Sequence, residues 1–147
     1  MSKKQIGKIL KLFISTKENT SRTEKNSIEI DELGVIGDKF YNKNISRSIL
    51  ITSISSYELM YTDNIDMPFG YLGENLLLDL NPYSFSMGTK LQIGKALLEI
   101  SAAPTICNHL SVIDERIPEL LKNDRGIFAK VTKNGEIEVG DMVYLVE

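Results

Sequence analysis

The strongest constraint on this chain is the close spacing of its turn residues. Glycine, proline and asparagine recur at short intervals throughout, which leaves little room for long helices. Many short strands fit that spacing better than a few long helices do. Residues 6–15 read as a strand with Leu10, Leu12 and Ile14 on one face and Lys11 on the other. Further strands are expected at 27–30 and at the β-branched run 48–53, where Ile49, Ile51 and Thr52 favour extended backbone. Residues 90–93 and 96–101 read as a hairpin around Gly94-Lys95, and 127–132 and 142–146 as the last strands. Asn134-Gly135 is a strong hairpin turn signal between those two.

Helix is expected in two short pieces. Ser55 or Ser56 is placed to cap one that runs through Tyr57 and Met60. The other lies within 114–123, with Pro118 in its first turn and Gly126 beyond its end. The polar stretch 16–26 reads as a solvated hairpin loop without function. Short strands must close or pack to protect their edges. The expected fold is therefore an all-β, mostly antiparallel barrel with a few short helices, a β-sandwich being the alternative.

Length and charge narrow the function classes. A chain of 147 residues fits one domain spanning 1–147, large enough to bury a core without staples. No uninterrupted apolar run reaches membrane-spanning length, and Lys8 and Lys11 break up the start, which argues against a signal peptide. The net charge of −3 gives no reason to expect a nucleic-acid partner. The single cysteine forbids an internal disulfide and suits a reducing, cytoplasmic setting.

That cysteine, Cys107, stands two residues before the only histidine, His109. Pro104 should end the strand before it, because proline cannot donate to a ladder. Cys107 thus falls in a loop just past a strand end, where functional groups tend to sit. On its own a lone thiol is a nucleophile, a metal ligand, a sulfur carrier or simply a small buried hydrophobe. One Cys and one His are too few for a structural zinc site. Adjacent Cys107, Asn108 and His109 do not resemble a thiol protease, whose groups come from distant parts of the chain. Asp63, Asn64 and Asp66 lack calcium-loop spacing, and the charges between Asp114 and Arg125 read as a solvated helix face.

Several turns present backbone amides beside a polar side chain: Gly37-Asp38-Lys39, Gly73-Glu74-Asn75 and Gly140-Asp141. Such amides can cradle an anion, although none is a P-loop or a dinucleotide fingerprint. Arg47, at the head of a buried-looking strand, can grip an oxyanion with two donors.

The order of these elements is more specific than any one of them. Gly34 to Lys39, Arg47 to Ile51 and Gly70 to Leu76 come first. Leu91 to Gly94, Pro104 with Cys107, Gly126 to Val131 and Gly135 to Asp141 follow. From about residue 32 to 146 the series resembles the MOSC domain, named for the C-terminal part of molybdenum cofactor sulfurases. The resemblance implies a barrel of the pyruvate-kinase-barrel-like type. It implies that Cys107 is the working cysteine, carrying sulfane sulfur or ligating molybdenum through the molybdenum cofactor. Asp38, Lys39, Arg47, Gly73, Glu74, Asn75 and His109 would then help to hold that cofactor. No pyridoxal-phosphate domain fits in this length, so sulfur would come from a partner such as a cysteine desulfurase and pass to a molybdoenzyme acceptor. A barrel that keeps only the fold, or a molybdenum-dependent reductase of N-hydroxylated compounds, are the alternative functions. Two positions depart from the family pattern: Phe40 stands where small members carry a histidine, and Ala103 stands at an arginine position. Lys39 and Arg47 are the cations expected to compensate.

Overall fold

The computed structural model describes residues 2–16, 22–104, 111 and 113–147. Eleven strands run from β1 (Lys3–Ile14) through β2 (Thr23–Lys25), β3 (Ser27–Asp31), β4 (Gly34–Val35), β5 (Ile49–Ser53), β6 (Leu76–Leu78), β7 (Lys90–Ile93), β8 (Ala96–Ala102), β9 (Ile127–Lys133) and β10 (Gly135–Glu138) to β11 (Met142–Val146). Two short helices, α1 (Ile54–Thr62) and α2 (Ile117–Leu120), and a 3-10 turn at Ile45–Arg47 complete the described elements.

The sheet order β11-β7-β8-β9-β5-β6-β1, with β1 also bonded to β11, closes a seven-stranded barrel. All its pairings are antiparallel except β5 with β6. Parallel neighbours need a crossover connection, and here α1 supplies it, starting directly off the end of β5. The helix begins earlier than Ser55 or Ser56 would have it. Ser53 is the cap: its backbone is still extended, and its hydroxyl accepts from the Ser55 amide at 3.1 Å. Pro118 does sit in the first turn of α2.

The barrel interior is filled by Ile9, Leu12, Ile49, Ile51, Leu91, Ile93, Leu98 and Ile100, none more than 1% exposed. A second apolar cluster joins the helices to the barrel wall through Tyr57, Met60, Leu72, Leu77, Ile117 and Leu121. Strand β6 serves both: Leu76 and Leu78 enter the first cluster and Leu77 the second. That is why three consecutive leucines are fully buried, as strands covered on both faces require. Strand β1 departs from the simple alternation read from sequence. A register shift between Ile9 and Lys11 directs Ile9 and Leu12 into the barrel, while Leu10 packs against the helix cluster.

The other correction concerns Asn134-Gly135. No hairpin turn forms there, and neither residue has positive φ. Gly135 instead starts β10, which pairs with β3 in a small sheet, β10-β3-β4. The glycine is needed for close approach, since a Cβ there would lie 3.0 Å from the Ala96 amide nitrogen. Ile28, Ile30, Val35 and Ile137 of this sheet join the barrel core. Among the described residues no helix is long and apolar enough to cross a membrane. Replacing Leu76 by Ala should cost about 2–5 kcal/mol, as expected for a fully buried leucine, measured by urea unfolding.

Candidate functional site

The site is built where the chain passes from the β4 turn to β5 and from the α1 crossover to β6. Asp38, 6% exposed, is pinned by three donors. Its Oδ1 accepts from the Ser15 amide at 2.7 Å and from Asn75 Nδ2 at 3.3 Å, and its Oδ2 accepts from the Phe40 amide at 3.0 Å. Asn75 in turn joins two strands. Its Oδ1 accepts from the Leu50 amide on β5, and its Nδ2 donates to the Phe13 carbonyl on β1.

Glu74 points elsewhere and is fully buried. Its Oε2 accepts from the Thr52 hydroxyl at 2.8 Å and from the Tyr57 hydroxyl, while Oε1 is buried without a hydrogen-bond partner. The Tyr57 hydroxyl also receives the Gly70 amide at 3.1 Å. The Gly-Glu-Asn element is thus a structural joint: Glu74 holds α1 and Asn75 holds β1 and β5. Gly73 turns the chain with φ +94°, a conformation that favours glycine.

Above this joint opens a cavity of about 350 Å³. Among the described residues its cations are Arg22, Lys43 and Arg47, and none of the described lining residues is a carboxylate. Phe40 and Phe128 form aromatic walls, and Asn44, Ser48, Gly73 and Asn75 add polar surface. Two of the cations sit over these walls: the Arg47 guanidinium is 4.9 Å from the Phe128 ring centroid and that of Arg22 is 6.0 Å from the Phe40 centroid. Arg47 also donates to the Ala103 carbonyl at 3.3 Å. It belongs to the 3-10 turn rather than to the strand it was expected to open.

Of the residues singled out from sequence, Arg47, Gly73 and Asn75 meet at this cavity. Asp38 and Glu74 support it without lining it. Lys39 does not line it either, but its ammonium lies 5.2 Å from the Phe40 ring centroid. Cys107 and His109 lie outside the described residues. The last residues before them, Ala103 and Pro104, follow the end of β8, where Ala102 pairs with the cavity residue Phe128.

Sequence reasoning missed Arg22 and Lys43. Lys43 stands four residues before Arg47, a spacing that offered a clue. Arg22 stood in the stretch read as a solvated loop, yet part of that stretch is strand and its side chain is turned inward. Residues 23–25 form β2 against β1, and the Arg22 side chain is only 14% exposed. Its guanidinium is 3.5 Å from Asp38. Burial lowers its pKa from the ordinary value, opposed by the Asp38 and Glu74 carboxylates. The fold provides no alternation or turn pattern that would have revealed an inward-facing arginine there.

A closed barrel of seven strands, crossed over once by a helix and carrying a cationic cavity at the end of β8, defines a class of small single-barrel domains. The sequence pattern of the MOSC domain matches residues 37–144, and the chain belongs to that family. Among solved structures, the YUAD protein from Bacillus subtilis is similar with a TM-score of 0.80 at 17% identity, covering 98% of this chain and 98% of that one. YiiM from Geobacillus stearothermophilus gives a TM-score of 0.71 at 16% identity, over 99% of this chain and 76% of that one. YiiM from Escherichia coli gives 0.72 at 19% identity, over 95% and 70%. No curated protein sequence matches the chain.

Two phenols set a pH limit here: buried Tyr57 at the joint, and part-buried Tyr83, whose hydroxyl accepts from the Ser53 amide at 2.7 Å at the start of α1. Burial, followed by the Glu74 carboxylate, pushes Tyr57 far above its ordinary value, and burial pushes Tyr83 up to about 12. An unfolded tyrosine ionises at about 10, so above that pH the unfolded chain holds fewer protons than the folded one. Their contribution to stability is full below about pH 10 and is lost as pH rises from there through about 12 and beyond. Urea midpoints measured across this range should fall, and Tyr57→Phe and Tyr83→Phe should flatten the fall.

Proposed function

We propose that this protein is a sulfur carrier that acts on, or holds, the molybdenum cofactor through Cys107. The observation that supports it is the cationic, aromatic-walled cavity beside the end of β8, where Arg47 holds the Ala103 carbonyl, four positions before Cys107 in the sequence. The lining suits an anionic, flat group: Lys43 and Arg47 for negative oxygens, Phe40 and Phe128 for a ring face. Lys39 adds positive charge beside Phe40. When bound, that cofactor would supply a metal with soft sulfur ligands, for which a cysteine thiolate is a matched partner.

The chain's own part is then sulfur handling. The Cys107 thiolate attacks the terminal sulfur of a persulfide on a partner desulfurase. The partner's S–S bond breaks, its thiolate leaves, and Cys107 holds the sulfur as a persulfide with no net oxidation. A molybdoenzyme or its cofactor is the acceptor. Cations at the cavity favour the thiolate form of any cysteine that reaches them.

Intact-mass analysis after incubation with a cysteine desulfurase and cysteine tests this reading. Wild type should gain sulfur, and Cys107→Ser should gain none. Equal gain on both, or none on wild type, overturns it. Protein from a host that makes the molybdenum cofactor should also retain molybdenum, and Cys107→Ala should retain less.

A further inference from the structure

We infer that Arg22 is the residue that anchors a phosphate-type oxyanion in the cavity. The inference deepens the reading above and rests on it only for the identity of the natural ligand.

A guanidinium carries five N–H donors in a rigid fork. In Arg22, Nη1 is buried and makes no hydrogen bond. The nearest carboxylate oxygen, Asp38 Oδ1, is 3.5 Å away, beyond the ~2.7–2.9 Å of a charge-assisted hydrogen bond. Asp38 has no freedom to close that gap. Its two oxygens are held by the amides of Ser15 and Phe40 and by the side chain of Asn75. Moving the carboxylate toward Arg22 would break bonds that tie β1 and β6 to the β4 turn. Asp38 therefore balances the charge of Arg22 without accepting a hydrogen bond from Nη1.

A buried charge with an unused donor is costly unless something completes it. Arg22 lines the cavity, and its Nη2 lies 3.6 Å from where a Cβ of Gly73 would be. The other two cations are differently placed. Arg47 already donates to the Ala103 carbonyl and stacks on Phe128. Lys43 is exposed and presents a flexible, strongly hydrated ammonium. Both are suited to attracting an anion, whereas Arg22 is held ready to bind it. The three cations that line the cavity among the described residues match the double charge of a phosphate better than the single charge of a carboxylate ligand.

The test uses the full chain and inorganic phosphate at constant ionic strength, read by thermal unfolding and by phosphorus NMR line broadening. Phosphate should raise the unfolding temperature of wild type and broaden the phosphate resonance. Arg22→Gln should abolish both effects. Arg22→Lys keeps the charge opposite Asp38 but loses the fork, and should bind about tenfold more weakly or worse; it serves as the readout if Arg22→Gln fails to fold. Lys95→Gln, on the turn between β7 and β8 and away from the cavity, should respond as wild type does. An unchanged response in both Arg22 variants overturns the inference, and so does a wild-type response that chloride reproduces. The sulfur reading fails separately: wild type that binds phosphate but accepts no sulfur upholds Arg22 and sinks the carrier, and the reverse result does the opposite.

Discussion

The structure depends on one side chain that replaces a missing stretch of ladder. Strand β6 has only three residues, yet it must bond to β5 on one side and β1 on the other for the barrel to close. Just before it, Asn75 extends both seams with its backbone and side chain. Its amide nitrogen donates to the Leu50 carbonyl and its carbonyl accepts from the Phe13 amide. Its carboxamide then adds a second bond to each of the same two strands. Buried backbone groups must find partners, and without this amide those of Leu50 and Phe13 would lose theirs at the point where the barrel is thinnest. Because the same carboxamide also touches Asp38, closure of the barrel and shaping of the cavity floor are one arrangement.

That dependence explains what could and could not be read from the sequence. The hairpin of β7 and β8 and the edges of β3, β5 and β9 were legible because alternation and turn residues are local signals. The parallel placement of β6 beside β5 was not, since periodicity describes a strand's faces and says nothing of its neighbour. Asn134-Gly135 misled for the same reason: a good local turn signal lost to pairing with the distant strand β3, which buries Ile137. The register shift in β1 exchanged Leu10 for Ile9 in the barrel core, a change invisible to a period of two.

At the site, the ordered motifs correctly drew attention to Arg47, Gly73 and Asn75, which meet at one cavity. They gave Asp38 and Glu74 the same weight, although these two build the support beneath. The family's histidine and arginine positions, occupied by Phe40 and Ala103, looked like a loss of charge. In three dimensions Phe40 is a cavity wall beside the Arg22 guanidinium, and the Ala103 carbonyl holds Arg47. Positive charge comes instead from Arg22, just before β2, and from Lys43 and Arg47, before and within the 3-10 turn. An overall net charge of −3 conceals this local concentration, because a sum over the chain carries no information about where charges gather.

The three leucines of β6 have one more consequence. Leu77 belongs to the helix layer, while its two neighbours belong to the barrel interior. Two apolar clusters that share so short a backbone segment cannot come apart independently: releasing α1 and α2 uncovers Leu77, and shifting Leu77 drags Leu76 and Leu78 out of register. The helices are thereby made part of the barrel's cooperative unit rather than a detachable appendage, and amide exchange in β6 should report the free energy of opening the whole domain.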